Sequence, residues 1–123
     1  MIKQKILGQV PSKSNCYKII TQKGKDGKSH GSLAKTDALH LYEKSFYLQC
    51  SYYRNKNIKG LFELHVNIYN GSQRNDLDNA MKAVLDCLQA CKAIANDRNC
   101  IKIVAQKFVE KDNPRIEFGI KEV

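Results

Sequence analysis

The sequence predicts an α+β fold: a small mixed sheet with two main helices on one face. Three observations predict it. Apolar residues recur at spacings of three and four in two stretches, one after Thr36 and one after Asp78. They alternate strictly in FELHVNIY, residues 62–69. Two further β-rich runs follow before the C-terminus. At 123 residues the chain is expected to form one domain, 1–123, with a core of its own.

KILGQVPS, from Lys5, reads as a short strand ended by Pro11. Residues 12–35 are polar, rich in Lys, Gly and Ser, and lack periodicity, so they are expected to form a long functional or mobile loop. Thr36 is placed to cap a helix whose buried stripe is Leu39, Tyr42, Phe46, Cys50 and Tyr53. RNKNIKG breaks that helix. In the strand that follows, Phe62, Leu64, Val66 and Ile68 take one face, and Glu63, His65 and Asn67 the other. NGSQRN is a turn. A second helix is expected from about Asp78 to about Cys91, burying Met81, Val84, Leu85 and Leu88. CIKIVAQKFV and RIEFGIKEV read as two strands joined by KDNP, a closing hairpin. The order β-α-β-α-β-β suggests helices on one face of a sheet.

Lys and Arg outnumber Asp and Glu by 21 to 12, a net charge of +9. Eight lysines and a single acid, Asp26, fall in the first 35 residues. Such an excess favours polyanions, and the absence there of a basic amphipathic helix favours nucleic acid over a membrane surface. No apolar run is long enough to span a bilayer, and MIKQKILGQV is too short and polar for a signal peptide. The chain is therefore expected to be cytoplasmic. The five cysteines include no CxxC pair, and no histidine pair completes a zinc set beside Cys87 and Cys91, so buried free thiols are expected. His30, His40 and His65 show no ligand spacing, and Tyr53 reads as core.

Against this basic background the segment RNDLDNAMKAVLDCL concentrates acid. Asp76 and Asp78 stand two apart where the second helix begins. Either carboxylate could serve as a helix cap in line with the dipole. Both could also converge on one divalent cation, since magnesium takes a few carboxylates and completes its shell with water and substrate phosphate. Asp97, in the ANDRN loop, is the candidate third ligand. Asp86 is about 80° round the helix from Asp78 and two turns away, so it points elsewhere. Lys82, one turn after Asp78, is either an ordinary ion-pair partner or the cation that offsets charge at a scissile phosphate. A helix over 78–91 is roughly 20 Å long and an extended chain covers at most about 3.5 Å per residue. Residues 92–97 could then just retrace the helix. Either the helix ends near Gln89, or Asp97 comes from a second subunit. Lys13, Lys18, Lys23, Lys25 and Lys28 in the polar segment, and Arg74 before the acid pair, are candidates for phosphate contacts.

DLDNAMKAVLDCL, followed by an aspartate and a β-rich run, resembles the RusA family of Holliday junction resolvases from bacteria, prophages and phages. Asp76, Asp78, Asn79, Lys82, Asp86 and Leu88 match the family pattern, and Asp97 matches the second aspartate of a loop pair. VPSKSNCY is similar to the family's proline-serine-asparagine segment after the first strand. The resemblance implies a homodimer that binds four-way DNA junctions in recombination and repair. It implies magnesium or manganese held by Asp76, Asp78 and Asp97, with Lys82 as the catalytic lysine. Paired symmetric hydrolysis would leave 5′-phosphate and 3′-hydroxyl ends, and no organic cofactor is implied. Asn96 departs from the pattern, standing where the loop pair has its first acid and removing one negative charge. The alternative to an enzyme is therefore a junction-binding protein of the same fold with a weakened metal site.

Overall fold

The structure is a computed structural model. It describes residues 1–12, 16–23, 25 and 27–123, with the backbone alone at 22, 23, 29 and 30. Its elements are β1 (Gln4–Leu7), β2 (Tyr17–Lys23), β3 (Ser29–Lys35), α1 (Asp37–Gln49), β4 (Phe62–Asn70), α2 (Leu77–Ala90), β5 (Cys100–Val109) and β6 (Arg115–Glu122). Four strands form one mixed sheet in the order β1-β6-β4-β5, in which β5 runs parallel to β4 while β6 is antiparallel to both β1 and β4. This is the expected α+β class.

The alternation in β4 sets the layering. Phe62, Leu64, Val66 and Ile68 are buried, and the residues between them are half-buried on the opposite face. Ile116, Phe118 and Ile120 of β6 join the buried face. From α1 the core takes Leu39, Tyr42 and Phe46. From α2 it takes Ala80, Met81, Ala83, Val84, Cys87 and Leu88, with Leu85 packed at its margin. Phe46 and Tyr53 both reach the Phe118 ring, at centroid distances of 5.6 and 5.4 Å. The Tyr53 hydroxyl donates to the Ile2 carbonyl and accepts from the Ile120 amide, so its polar end is satisfied inside the core. Thr36 caps α1, its hydroxyl accepting from the Leu39 amide at 3.3 Å. Cys16, Cys50, Cys87 and Cys91 are buried free thiols, and Cys100 is half-buried.

Two expectations about the strands fail. The segment read as a loop contains a two-stranded ribbon, β2 paired with β3, in which Ile19 faces Leu33. Those two side chains are 80% and 64% exposed, so the ribbon buries little apolar surface and leaves no periodic trace in the sequence. The closing hairpin is also absent. β5 and β6 are consecutive in the chain yet lie on either side of β4. The connection crosses the end of β4, where the Glu110 amide donates to the Asn70 carbonyl at 2.7 Å. Turn composition signals a reversal between two strands but not which strand lies between them.

α1 ends at Gln49 with Cys50 as its C-cap, so Cys50 and Tyr53 of the expected stripe lie past its end, and within RNKNIKG Asn55 and Asn57 take left-handed backbone conformations, with φ of 64° and 50°. The same segment captures the chain that leaves α2. The amides of Asn55, Asn57 and Ile58 donate to the carbonyls of Cys91, Lys92 and Ala93, and Ile58 bridges to Ile94. Residues 91–95 are thereby held at the far end of α2.

Candidate active site

The start of α2 is built from the turn that follows β4. Asp76 occupies the N-cap position with extended backbone, φ −78° and ψ 143°, but its side chain makes no capping hydrogen bond. Its carbonyl accepts from the Ala80 amide at 3.3 Å, while its carboxylate faces outward. Asn79 organises the pair. Its Nδ2 donates to Asp76 Oδ2 at 3.4 Å, and its backbone amide donates to Asp78 Oδ1 at 3.0 Å. Both carboxylates are exposed. Of the two roles open to them, capping by the Asp76 side chain is not the one it performs.

Two cavities flank this helix start, and Asn79 lines both. The smaller, about 210 Å³, brings Asp78 and Lys82 together with Cys16 and Tyr17. Lys82 Nζ sits 4.5 Å above the centre of the Tyr17 ring, a cation–π contact, and it forms no ion pair with Asp78. Tyr17 in turn donates its hydroxyl to Asp86 Oδ2. Burial, and then that bond, hold the Tyr17 phenol well above its ordinary pKa, so it remains protonated and a donor. Asp86 lines a separate cavity with Lys35, Gln89 and Ala90, yet it is tied to the site through Tyr17. Sequence reasoning missed Tyr17. The partners lie 69 residues apart, and only the tyrosine at the end of VPSKSNCY hinted at the contact.

The larger cavity, about 520 Å³, lies between Val10 and Pro11 on one side and Arg74, Asp76 and Asn79 on the other. Lys107 of β5 supports the turn from below, its Nζ within 3.2 Å of the Asn75 carbonyl and 3.4 Å of the Gln73 carbonyl. This second missed residue sat in CIKIVAQKFV, a run read only as a strand.

Asp97 stands elsewhere. Its amide donates to Gln89 Oε1 at 3.2 Å, so it lies beside the last turn of α2, roughly 16 Å along the helix from Asp78. The strand it precedes begins opposite Phe62, the end of β4 remote from Asn70. Among the described residues no three acids, histidines or cysteines converge as a metal site. Asn96 caps the short 3-10 turn Asp97–Asn99, its Oδ1 accepting from the Arg98 amide at 2.9 Å. Arg74 and Lys18 are exposed, while Lys13 lies outside the described residues, as does the side chain of Lys23. His40 is exposed, and His65 contacts Glu63 at 3.2 Å on the open face of the sheet, neither beside the acid pair. No helix among the described residues is long and apolar enough to cross a membrane.

A pair of exposed carboxylates with a lysine beside it, on a strongly basic α+β scaffold, is an arrangement that a metal-dependent nuclease can use. The family model described as endodeoxyribonuclease RusA matches residues 21–121, and the chain belongs to that family. It is accordingly an endodeoxyribonuclease, of a family that acts on Holliday junctions by phosphodiester hydrolysis. Nucleases of this family generally depend on a divalent metal. A search of curated proteins found no match. The donor set at α2 fits such a metal: Asp76 and Asp78 offer hard carboxylate oxygens, exposed and steadied by Asn79, in the number that magnesium uses when substrate and water complete its shell.

Proposed function

We propose that the chain, as a single 1–123 endonuclease domain, is a magnesium-dependent Holliday junction resolvase, with manganese able to substitute, acting in DNA recombination and repair. The observation that carries this reading is the carboxylate of Asp76, exposed and capping nothing, beside Asp78 and next to a lysine held in place by Tyr17. Asp76 and Asp78 would hold the metal from one chain. Asp97, at the far end of its own α2, would complete the site from a second copy, so that a two-fold dimer matches a two-fold junction.

A divalent metal held there would supply Lewis-acid polarisation of the phosphate and lower the pKa of water. The chain's own residues do the rest. Asn79 keeps the two carboxylates oriented. Lys82, presented above Tyr17, offsets the charge that grows on the phosphate as water adds to phosphorus and the bond to the 3′-oxygen breaks. The leaving oxygen takes a proton, which gives 5′-phosphate and 3′-hydroxyl ends. Lys13, Lys18 and Arg74 would contact the DNA backbone and set its register.

The binding-only alternative rests on Asn96, whose side chain caps a turn, a task that aspartate or asparagine performs equally well. A nicking assay separates the readings. A synthetic four-way junction and a linear duplex of the same sequence are compared with magnesium, with manganese and with chelator. Paired, metal-dependent cuts on the junction, lost in Asp78→Asn, support the resolvase. Junction binding without cleavage in either metal leaves the binding protein.

A further inference from the structure

We infer that the larger cavity beside Asp76 is a nucleobase pocket and that Asn70 is the residue that reads the base; the inference rests on the nuclease reading for the source of that base. The buried face of β4 runs Phe62, Leu64, Val66, Ile68 and then Asn70, so an amide stands where the alternation calls for an apolar side chain. Asn70 is 1% exposed and lines the cavity. Its Nδ2 is buried and has no hydrogen-bond partner among the described residues. Buried donors are rarely left so, and an ordered water or a ligand acceptor entering from the cavity would complete this one.

The orientation of that amide follows from its neighbours. The Gly71 backbone amide can only donate, and it donates to Gln9 Oε1 at 2.7 Å. Gln9 must then present Nε2 to Asn70, whose Oδ1 accepts at 2.8 Å. Asn70 is left with a donor and no freedom to flip it. The pocket therefore asks for an acceptor.

The walls identify the class of ligand. Val10 and Pro11 are apolar and suit the face of a flat ring. Asn75 and Asn79 add amides, which suit a neutral edge carrying donors and acceptors. A volume of about 520 Å³ is in the ordinary range for a small-ligand site. Because Asp76 belongs both to this pocket and to the acid pair, the base is that of a nucleotide flanking the scissile phosphate. Stacking is interrupted where junction strands cross, so a base is most easily turned out there.

The test places 2-aminopurine, one position at a time, in the nucleotides flanking the cut and follows its fluorescence when the chain binds the junction in chelator. A rise of several-fold at one position is expected with the wild-type chain, and its loss with Asn70→Asp, which keeps the shape but replaces the donor with an acceptor. A melting curve establishes that the variant is folded. In a second arm, with the wild-type chain alone, an abasic site at the same position slows magnesium-dependent cutting about tenfold, the scale of one unsatisfied buried group. Unchanged fluorescence at every flanking position of a bound junction, or cutting indifferent to abasic sites, overturns the base pocket while leaving the nuclease reading intact. A base turned out on binding without any cutting in magnesium or manganese supports the pocket and sinks the nuclease. A chain that does not bind the junction overturns both.

Discussion

Lys107 Nζ lies 3.2 Å from the Asn75 carbonyl and ties strand β5 to the turn that presents Asp76. The turn has few other anchors: the Gly71 amide bonds Gln9, and the Arg74 amide bonds Ser72 Oγ at 3.3 Å. A small misplacement of a carboxylate that must hold metal against phosphate is expensive in rate. Lys107→Met is expected to slow single-turnover cutting by roughly tenfold or more. Its melting temperature and junction affinity should change little, and Lys107→Arg should recover part of the rate. A loss of affinity as large as the loss of rate would instead mark Lys107 as a phosphate contact.

Tyr17 joins Lys82 to Asp86, and its two ends can be tested separately. Tyr17→Phe keeps the ring beneath Lys82 and removes the donor to Asp86, which is half-buried. It is expected to destabilise the fold by about 1 kcal/mol while keeping most of the cutting rate. Tyr17→Leu removes the ring as well, and the rate should fall by a further factor of about ten as Lys82 loses its seat. Thermal melts beside single-turnover kinetics distinguish the two. Equal rates for the two variants would show that the ring does not position Lys82.

What the sequence made legible was local. The cap at Thr36, the alternation in β4 and the apolar stripe of α2 depend on neighbours within a few residues, and each stands where the pattern put it. The ribbon of β2 and β3 was illegible because pattern reading detects burial, and Ile19 and Leu33 face solvent. The position of β6 beyond β4 was illegible because turn residues encode a reversal and not a partner. In the site, the acid pair and Lys82 share one helix start and could be read from spacing. Tyr17 and Lys107 reach that start only through tertiary contacts. The position of Asp97 followed from a backbone pairing between 55–58 and 91–95 that no side-chain pattern announces.

Asp76 separates capping from catalysis. An aspartate cap replaced by alanine ordinarily destabilises a helix by about 1 kcal/mol. The Asp76 side chain makes no such bond, so Asp76→Ala should fall below that figure in chemical denaturation. The same variant is expected to lose cutting by a factor of about a thousand if the carboxylate holds metal. Near-neutral stability with abolished cutting supports the metal role. A full capping loss with cutting retained would return Asp76 to a structural part.

Asp97 gives the sharpest test of assembly. Inactive Asp78→Asn and Asp97→Asn chains are mixed, unfolded together and refolded, so that mixed dimers form. If Asp97 serves the second copy, both defects of a mixed dimer fall in one site and the other site is complete. Nicking of one strand at the junction is then expected to reappear, without the paired second cut. If Asp97 serves its own chain, each site of the mixed dimer carries one defect and the mixture stays as inactive as its parents. The position of Asp97 beside Gln89, at the end of α2 remote from Asp78, leads us to expect the first result. Sedimentation of the mixture checks that dimers are present, because a monomer would leave Asp97 with no site to complete.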